Sequence, residues 1–313
     1  MKGFLRFNEP LAEHTSWHIG GPAERYYRPY DLEDLSFFLK ELSSTEPLTW
    51  LGLGSNVLIA DEGVKGTVIH TLGMKSGAPQ ILGPGPASIP APTPAPTPAP
   101  TIKIIRVEAG VPCAKLAKFC AKEGLQAGAF FAGIPGTIGG ALAMNAGAFG
   151  GETWERVALV EVINRLGERK FRKPEEYEVG YRSVKGPKDE WFIAGHFQFE
   201  LGNSELAHDQ IKQLLRKRSE SQPIGVFSCG SVFRNPVPDH AGRLIEASKL
   251  KGFTIGDAQI SQKHANFIVN RGKATARDVY NLIQHIQQKV QKDHQILLHP
   301  EVRFIGIEGG LLI

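Results

Sequence analysis

Between Ala132 and Gly147 the chain reads AGIPGTIGGALAMNAG, which places Gly133, Gly136, Gly139, Gly140 and Gly147 within sixteen residues. Glycine has no Cβ and reaches positive φ freely, so such a stretch lets bare backbone approach something closely. It does not read as an ordinary helix or strand. Ile134, Pro135, Ile138, Leu142 and Met144 are interleaved with the glycines and can anchor the stretch to a core, so it is no flexible linker either. Two readings stay open. One is close packing through small residues; the other is a cradle for a ligand, with anionic phosphate the usual guest of successive backbone N–H groups.

A second glycine turn supports the cradle. Leu48–Leu51 is a short apolar run that reads as a buried strand. It delivers Gly52, Leu53, Gly54, Ser55 and Asn56, after which Val57–Ile59 resumes the apolar pattern. The turn lacks the third glycine of a dinucleotide fingerprint, since Val57 stands there, and no Gly-Lys-Ser/Thr of a phosphate-binding P-loop occurs anywhere. Two glycine turns that fit neither common motif point to a different nucleotide-binding fold.

A chain of 313 residues suffices for two domains, or for one with a smaller partner. Its 42% hydrophobic and 22% charged residues are ordinary for a soluble globular protein. The net charge of +4 is mild and the Lys/Arg residues are scattered, which favours small anionic ligands over nucleic acid. The N-terminus carries no apolar signal region, and no apolar run approaches the roughly 18 residues of a membrane span. A cytoplasmic protein without an obligate protein partner is expected. Cys113 and Cys120 lie two helical turns apart, ~10 Å along the axis, beyond disulfide reach. Cys229 reads as a small filler, and the ten histidines show no metal-ligand spacing, so no metal is expected.

Along the chain, the stripe Leu32, Leu35, Phe38, Leu39 and Leu42 predicts a helix, and Gly66–Ile69 a strand. From Ser76 to Thr101 the chain runs into three PAPT repeats, which read as a solvated, extended insertion. A strand at Ile104–Ala109 precedes a helix from Pro112 to Gly124, with proline at its start and glycine at its end. Strands are predicted at Val157–Asn164 and Trp191–Leu201, and a helix over 205–220 that begins a new unit. Thr275 and Asp278 form a capping box ahead of a helix with Val279, Leu282, Ile283, Ile286 and Val290 on one face. A last strand covers Val302–Ile307. Strands and helices mix without a regular βαβ alternation, so the fold class is α+β.

Three side chains could do chemistry. Ser231, in CGSVFRNP, sits beside a glycine in a polar turn that it could simply cap. No nucleophile elbow surrounds it. Arg182, in VGYRS, and Glu301, in HPEVRFIG, are by default surface charges.

Taken in order, GLGSNVLI, GIPGTIGGALAMNAGAFG, VGYRS, CGSVFRNP, AGRLIEASKLKG, HANFIVN and HPEVRFIG resemble the signature of the UDP-N-acetylenolpyruvoylglucosamine reductases, the MurB flavoenzymes of peptidoglycan synthesis. The likeness runs from about Thr15 to Gly306, interrupted mainly by the PAPT insertion. It implies a two-part FAD-binding domain of the MurB/vanillyl-alcohol-oxidase type and a smaller α+β substrate domain. Residues 1–74 and 102–203 would form the two FAD-binding parts, and 75–101 a disordered Pro/Ala/Thr-rich insertion. Residues 204–298 would bind substrate, and 299–313 would return as a strand to the FAD domain.

The resemblance further implies that Gly52–Asn56 and the stretch containing Gly133, Ile134, Pro135, Gly136, Thr137, Gly139, Gly140, Asn145 and Gly147 hold FAD. NADPH would supply hydride. Ser231 falls on the family's proton donor, Arg182 on its substrate-carboxylate arginine and Glu301 on its catalytic glutamate. Tyr181, Asn235 and His264 fall on substrate-contacting positions. Only 48 residues separate Arg182 from Ser231, as in the family's shorter type, which lacks a tyrosine-bearing loop. Ser221 stands where relatives often carry a basic residue, with Lys217 and Arg218 as stand-ins for the diphosphate contact. Two rivals are another FAD-dependent sugar or alcohol oxidase of this fold and a flavin-binding protein without catalysis. The first would want a longer substrate domain, and the second would not need Arg182, Ser231 and Glu301 together.

Overall fold

The computed structural model describes residues 1–74, 78–84 and 101–307. The α-helices among them are α1 (Leu32–Glu41), α2 (Cys113–Lys122), α3 (Ile138–Met144), α4 (Ser204–Ser221), α5 (Ala241–Ala247) and α6 (Ala276–His294). The chain forms two compact units, one of Met1–Gly3, Arg28–Thr45 and Thr71–Arg218, the other of Phe4–Tyr27, Glu46–His70 and Ser219–Ile313.

The first unit is built on a five-stranded antiparallel sheet in the order Arg169–Arg172, Val157–Asn164, Glu190–Glu200, Ile102–Glu108, Gln80–Pro84. Alternating Ile105, Val107, Val160, Val162, Phe197 and Phe199 are buried in one cluster with Leu116, Ala117 and Cys120 of α2 and Ile138, Ala141 and Leu142 of α3. Asp31 caps α1 by accepting from the Asp34 amide at 2.8 Å.

Three expectations change here. Ile138–Met144 is an α-helix despite its glycine pair, because Thr137 caps it and its apolar face is buried. The insertion is not irregular throughout: Gln80–Pro84 is an edge strand paired with Lys103–Arg106, and the PAPT repeats up to Pro100 lie outside the described residues. Finally, α4 does not open a new unit at 204. Ala207 and Ile211 join the first unit's core, and the Ser204 hydroxyl donates to the Ala121 carbonyl at 2.6 Å.

The second unit holds a four-stranded sheet in the order Phe4–Pro10, Pro22–Arg28, Val64–His70, Leu48–Leu51, with its last two pairings parallel. Val57–Ile59 pairs in parallel with Arg303–Ile305, the predicted last strand in shortened form. Phe227–Ser228, Ile268–Asn270, Ala258–Ile260 and Thr254–Ile255 make a small antiparallel sheet. The capping box of α6 is present in both directions: the Asp278 amide donates to Thr275 Oγ1 at 3.0 Å, and the Thr275 amide to Asp278 Oδ2 at 2.9 Å. Asp61 takes the next two amides of that helix, those of Ala276 and Arg277. Val279, Leu282, Ile283, Ile286 and Val290 are all buried, each stabilising by roughly 1.5–3 kcal/mol.

Candidate active site

The strand Leu48–Leu51 ends where its parallel neighbour reaches His70, and the chain turns through Gly52–Asn56. Gly54 has φ +64°, and a β-carbon there would lie 2.0 Å from the His14 carbonyl oxygen and 2.8 Å from Thr15 Cα. Only glycine fits that approach. The carbonyls of the turn are held inward. Gly52 O accepts from His70 Nε2 at 2.8 Å, and Gly54 O accepts from the Ser16 amide at 2.9 Å. The Cys229 thiol lies 3.7 Å from Gly54 O and 3.5 Å from Val57 O. Among the described residues, the amides of Leu53, Gly54, Ser55 and Asn56 donate to no backbone oxygen. A run of such amides is a concave, partially positive surface suited to an anion.

The same unit holds Ser231, Asn235, His264 and Glu301. The Asn56 side-chain amide donates to the Glu301 carbonyl at 3.1 Å, and the Glu301 amide donates to the Val232 carbonyl at 2.7 Å. Phe233 forms a bridge with Pro300, and the Arg234 amide donates to His299 O. Ser231, next to Val232, is thereby held on a strand-like segment running against Glu301. Its side chain is half-buried, and among the described residues no group of the chain bonds its hydroxyl, so it caps no turn. His264 lies on the adjoining loop; its Nδ1 accepts the Asn266 amide at 3.2 Å, which leaves the proton on Nε2. Burial holds the His264 imidazole below its usual pKa, so it is neutral at pH 7. Asn235 Oδ1 accepts the Ala241 amide at the start of α5.

The second glycine segment belongs to the first unit and is used differently. The amides of Ile138 and Gly139 donate to Val111 O and Ala109 O, and those of Gly140 and Ala141 to Thr137 Oγ1 and O. A β-carbon on Gly133 would meet the Phe149 ring at 2.4 Å, on Gly139 the Ala109 Cβ at 2.9 Å, and on Gly147 the Gly151 oxygen at 2.5 Å. These three glycines answer to packing of the chain on itself. Gly140 does not: it is exposed, and nothing lies closer than 3.8 Å to the space a β-carbon would take. Ile134 and Thr137 are buried, while Pro135 is exposed. Asn145 is buried with φ +44°, and its side chain is engaged with Glu152 Oε2, Gly180 O and the Trp154 amide.

Tyr181 and Arg182 form the two-residue loop of the hairpin Glu178–Gly180/Ser183–Lys185. Arg182 has φ +53°, a region that non-glycine residues occupy at a cost and that clusters at functional positions. Its guanidinium donates to Gly147 O at 2.8 Å and Asn145 O at 3.3 Å, which ties the hairpin tip to the glycine segment. Tyr181 is exposed beside it, with the guanidinium carbon 5.2 Å from its ring centroid.

All three cysteines are buried and free, and burial raises the Cys229 thiol to about 12, so it is protonated and inert. Among the described residues no His, Cys, Asp and Glu side chains cluster as a metal site. Sequence reasoning missed the groups beneath the first turn: His14, Tyr26 and His70. No periodicity marks them: the parallel pairing of Pro22–Arg28 with Val64–His70 brings Tyr26 and His70 together, and the short helix Leu11–His14 sets the His14 ring against both.

Four successive amides that, among the described residues, meet no backbone oxygen make the Gly52–Asn56 turn suited to an anionic group. The comparisons specify the class of protein. Residues 99–170 match the FAD binding domain model, so the chain is an FAD-dependent oxidoreductase by class. Residues 222–305 match the C-terminal domain model of UDP-N-acetylenolpyruvoylglucosamine reductase. A reductase of that name from Coxiella burnetii is 54% identical over 306 residues, covering 98% of this chain and 97% of the relative. The one from Nitrosococcus oceani is 51% identical, covering 98% and 96%. The crystal structure of the Thermus caldophilus enzyme superposes with a TM-score of 0.76 at 30% identity, covering 97% and 99%. The chain belongs to the UDP-N-acetylenolpyruvoylglucosamine reductase family. No helix among the described residues is long and apolar enough to cross a membrane.

Proposed function

We propose that the protein reduces UDP-N-acetylglucosamine enolpyruvate to UDP-N-acetylmuramate with FAD as cofactor and NADPH as hydride donor. The observation that carries this reading is identity above 50% to reductases of that name over 98% of the chain, combined with an unbonded Ser231 hydroxyl beside the Glu301 segment. Leu53–Asn56 would receive the FAD diphosphate, and the surface of the second glycine segment from Gly133 to Gly147 the flavin ring. When bound there, the flavin would supply the hydride chemistry, with NADPH as the source and the β-carbon of the enolpyruvyl ether as the acceptor.

The chain's own residues deal with the charge and the proton. As hydride adds, negative charge develops at the substrate carboxylate, and Arg182 would stabilise it through a bidentate contact. Glu301 would assist, and Ser231 would give its hydroxyl proton to the α-carbon. Tyr181, Asn235 and His264 would contact the substrate, the neutral His264 offering its Nε2–H, with Lys217 and Arg218 near the diphosphate. By the same reading, the Gly52–Asn56 and Gly133–Gly147 segments serve the FAD and the part after α4, to residue 298, the substrate, and the enzyme works in the cytoplasm on a soluble nucleotide sugar without an obligate protein partner.

Ser231→Ala tests the assignment. NADPH should still reduce the flavin at the wild-type rate, while reoxidation by substrate slows roughly 10²-fold or more, the scale of a lost positioned proton donor. Ser231→Cys should recover part of the rate. Wild-type turnover in the alanine variant would remove Ser231 from the mechanism.

A further inference from the structure

Beneath the Gly52–Asn56 turn lies a chain of buried polar rings to which the reaction assigns no part. His70 Nε2 is 2.8 Å from Gly52 O, and its Nδ1 is hydrogen-bonded to the Tyr26 hydroxyl. Both side chains are buried. The His14 ring stacks on Tyr26 with centroids 4.7 Å apart and meets His70 edge-on at 5.2 Å. His14 Nε2 in turn contacts Glu9 Oε1 at 2.9 Å, and Arg6 closes the row on the other carboxylate oxygen at 3.0 Å.

The protonation pattern follows from the acceptors. A carbonyl oxygen accepts only, so the proton at this contact sits on His70 Nε2. A neutral imidazole then presents a lone pair at Nδ1, and the Tyr26 hydroxyl donates to it. Tyr26 therefore selects the tautomer that can hold the Gly52 carbonyl. Without that donor, His70 is free to carry its proton on Nδ1, and a lone pair would face the carbonyl oxygen. His14 contributes twice: its ring supports Tyr26, and its own carbonyl leaves room for nothing but a glycine at position 54.

We infer that His70 and Tyr26 are positioning residues for cofactor binding: they pin the Gly52 carbonyl inward so that the amides of Leu53–Asn56 face an anionic diphosphate. This rests on the reading that the turn receives the FAD diphosphate. The same logic operates where an outer-layer hydrogen bond fixes the tautomer and orientation of a ligating group.

The test titrates the full-length, flavin-stripped protein with FAD, following flavin fluorescence, alongside the melting temperature of the stripped protein. Tyr26→Phe should weaken FAD about fivefold and His70→Leu about tenfold or more, the scale of one lost hydrogen bond and a misplaced carbonyl. His70→Gln, whose amide N–H can still reach Gly52 O, should stay near wild type. Adding Tyr26→Phe to His70→Gln should cost nothing further, because no tautomer remains to be selected. Ser55→Asp sets a carboxylate at the turn itself, and FAD should weaken well beyond either variant with the melting temperature unchanged. If Ser55→Asp binds FAD normally, the turn is not the diphosphate site and the reading beneath the inference fails with it. If Ser55→Asp weakens FAD while Tyr26→Phe and His70→Leu bind like wild type, the positioning role alone is overturned. Equal weakening by His70→Gln and His70→Leu would also overturn it, since the donor would then be irrelevant.

Discussion

Among the described residues, the four successive amides of Leu53–Asn56 meet no backbone oxygen, whereas at the start of α3 every amide from Ile138 to Ala141 already donates within the chain. Both stretches are rich in glycine, and by composition they look interchangeable. In the first, one glycine at φ +64° lets His14 and Thr15 close against the turn, and its Gly52 and Gly54 carbonyls accept bonds from His70 and Ser16. In the second, three glycines let strands, rings and helix pack tightly, and a single exposed one, Gly140, presents bare backbone. One segment is suited to charge and the other to a flat surface. Glycine content by itself carries no ligand information; what matters is where the neighbouring N–H groups are spent.

The largest expected contrast comes from placing the same methyl group in each segment. Gly54→Ala drives Cβ into the His14 carbonyl and strains a positive φ, so FAD binding should fall at least tenfold and the protein should lose on the order of 2 kcal/mol of stability. Gly140→Ala has room, and should stabilise the FAD-free protein by about 1 kcal/mol through helix propensity. The same substitution should still weaken FAD severalfold if the flavin lies over that backbone. Titration with FAD and thermal melts of both variants check this; a Gly140→Ala protein that is more stable and binds FAD unchanged would reduce the second segment to packing alone.

A smaller effect separates the units by pH. In the first unit Arg106 bonds Glu161 at 2.6 and 2.9 Å, and His196 Nε2 lies 2.7 Å from the same carboxylate. Burial alone would raise Glu161, but the bonds from His196 and Arg106 outweigh it and hold the carboxyl at about 2. A depressed carboxylate stabilises above its unfolded pKa and loses that contribution as pH falls toward its folded one. Stability on the order of 2 kcal/mol should therefore disappear between about pH 4.5 and pH 2. Glu161→Gln should flatten that part of the pH–melting curve and leave FAD affinity at neutral pH unchanged. An unchanged slope would mean that other carboxylates, such as Glu9 with its His14 and Arg6 partners, dominate acid unfolding.

How much of this was legible in the sequence depended on whether the cause was local. The capping box at Thr275 and the apolar stripe of α6 are local patterns, and both are present as read. The strands at Leu48–Leu51 and Val157–Asn164 have the predicted bounds, because short apolar runs between turn residues leave few alternatives. Helix α3 was illegible because its stability comes from burial of Ile138, Ala141 and Leu142 rather than from propensity. The edge strand Gln80–Pro84 was hidden by the proline repeats beside it. The order of the motifs pointed to Ser231, Glu301 and Arg182, but nothing local marked Tyr26 and His70, 44 residues apart and joined only by a parallel strand pairing. The difference between the glycine segments was equally invisible, since it lies in the partners of amides and not in residue types.

The two half-reactions are read most directly in the flavin absorbance of the purified protein under anaerobic conditions. NADPH should bleach the visible flavin band, and UDP-N-acetylglucosamine enolpyruvate should then restore it in stoichiometric amount without oxygen. A band that NADPH leaves untouched, or that returns only on admission of air, would contradict the proposed reaction.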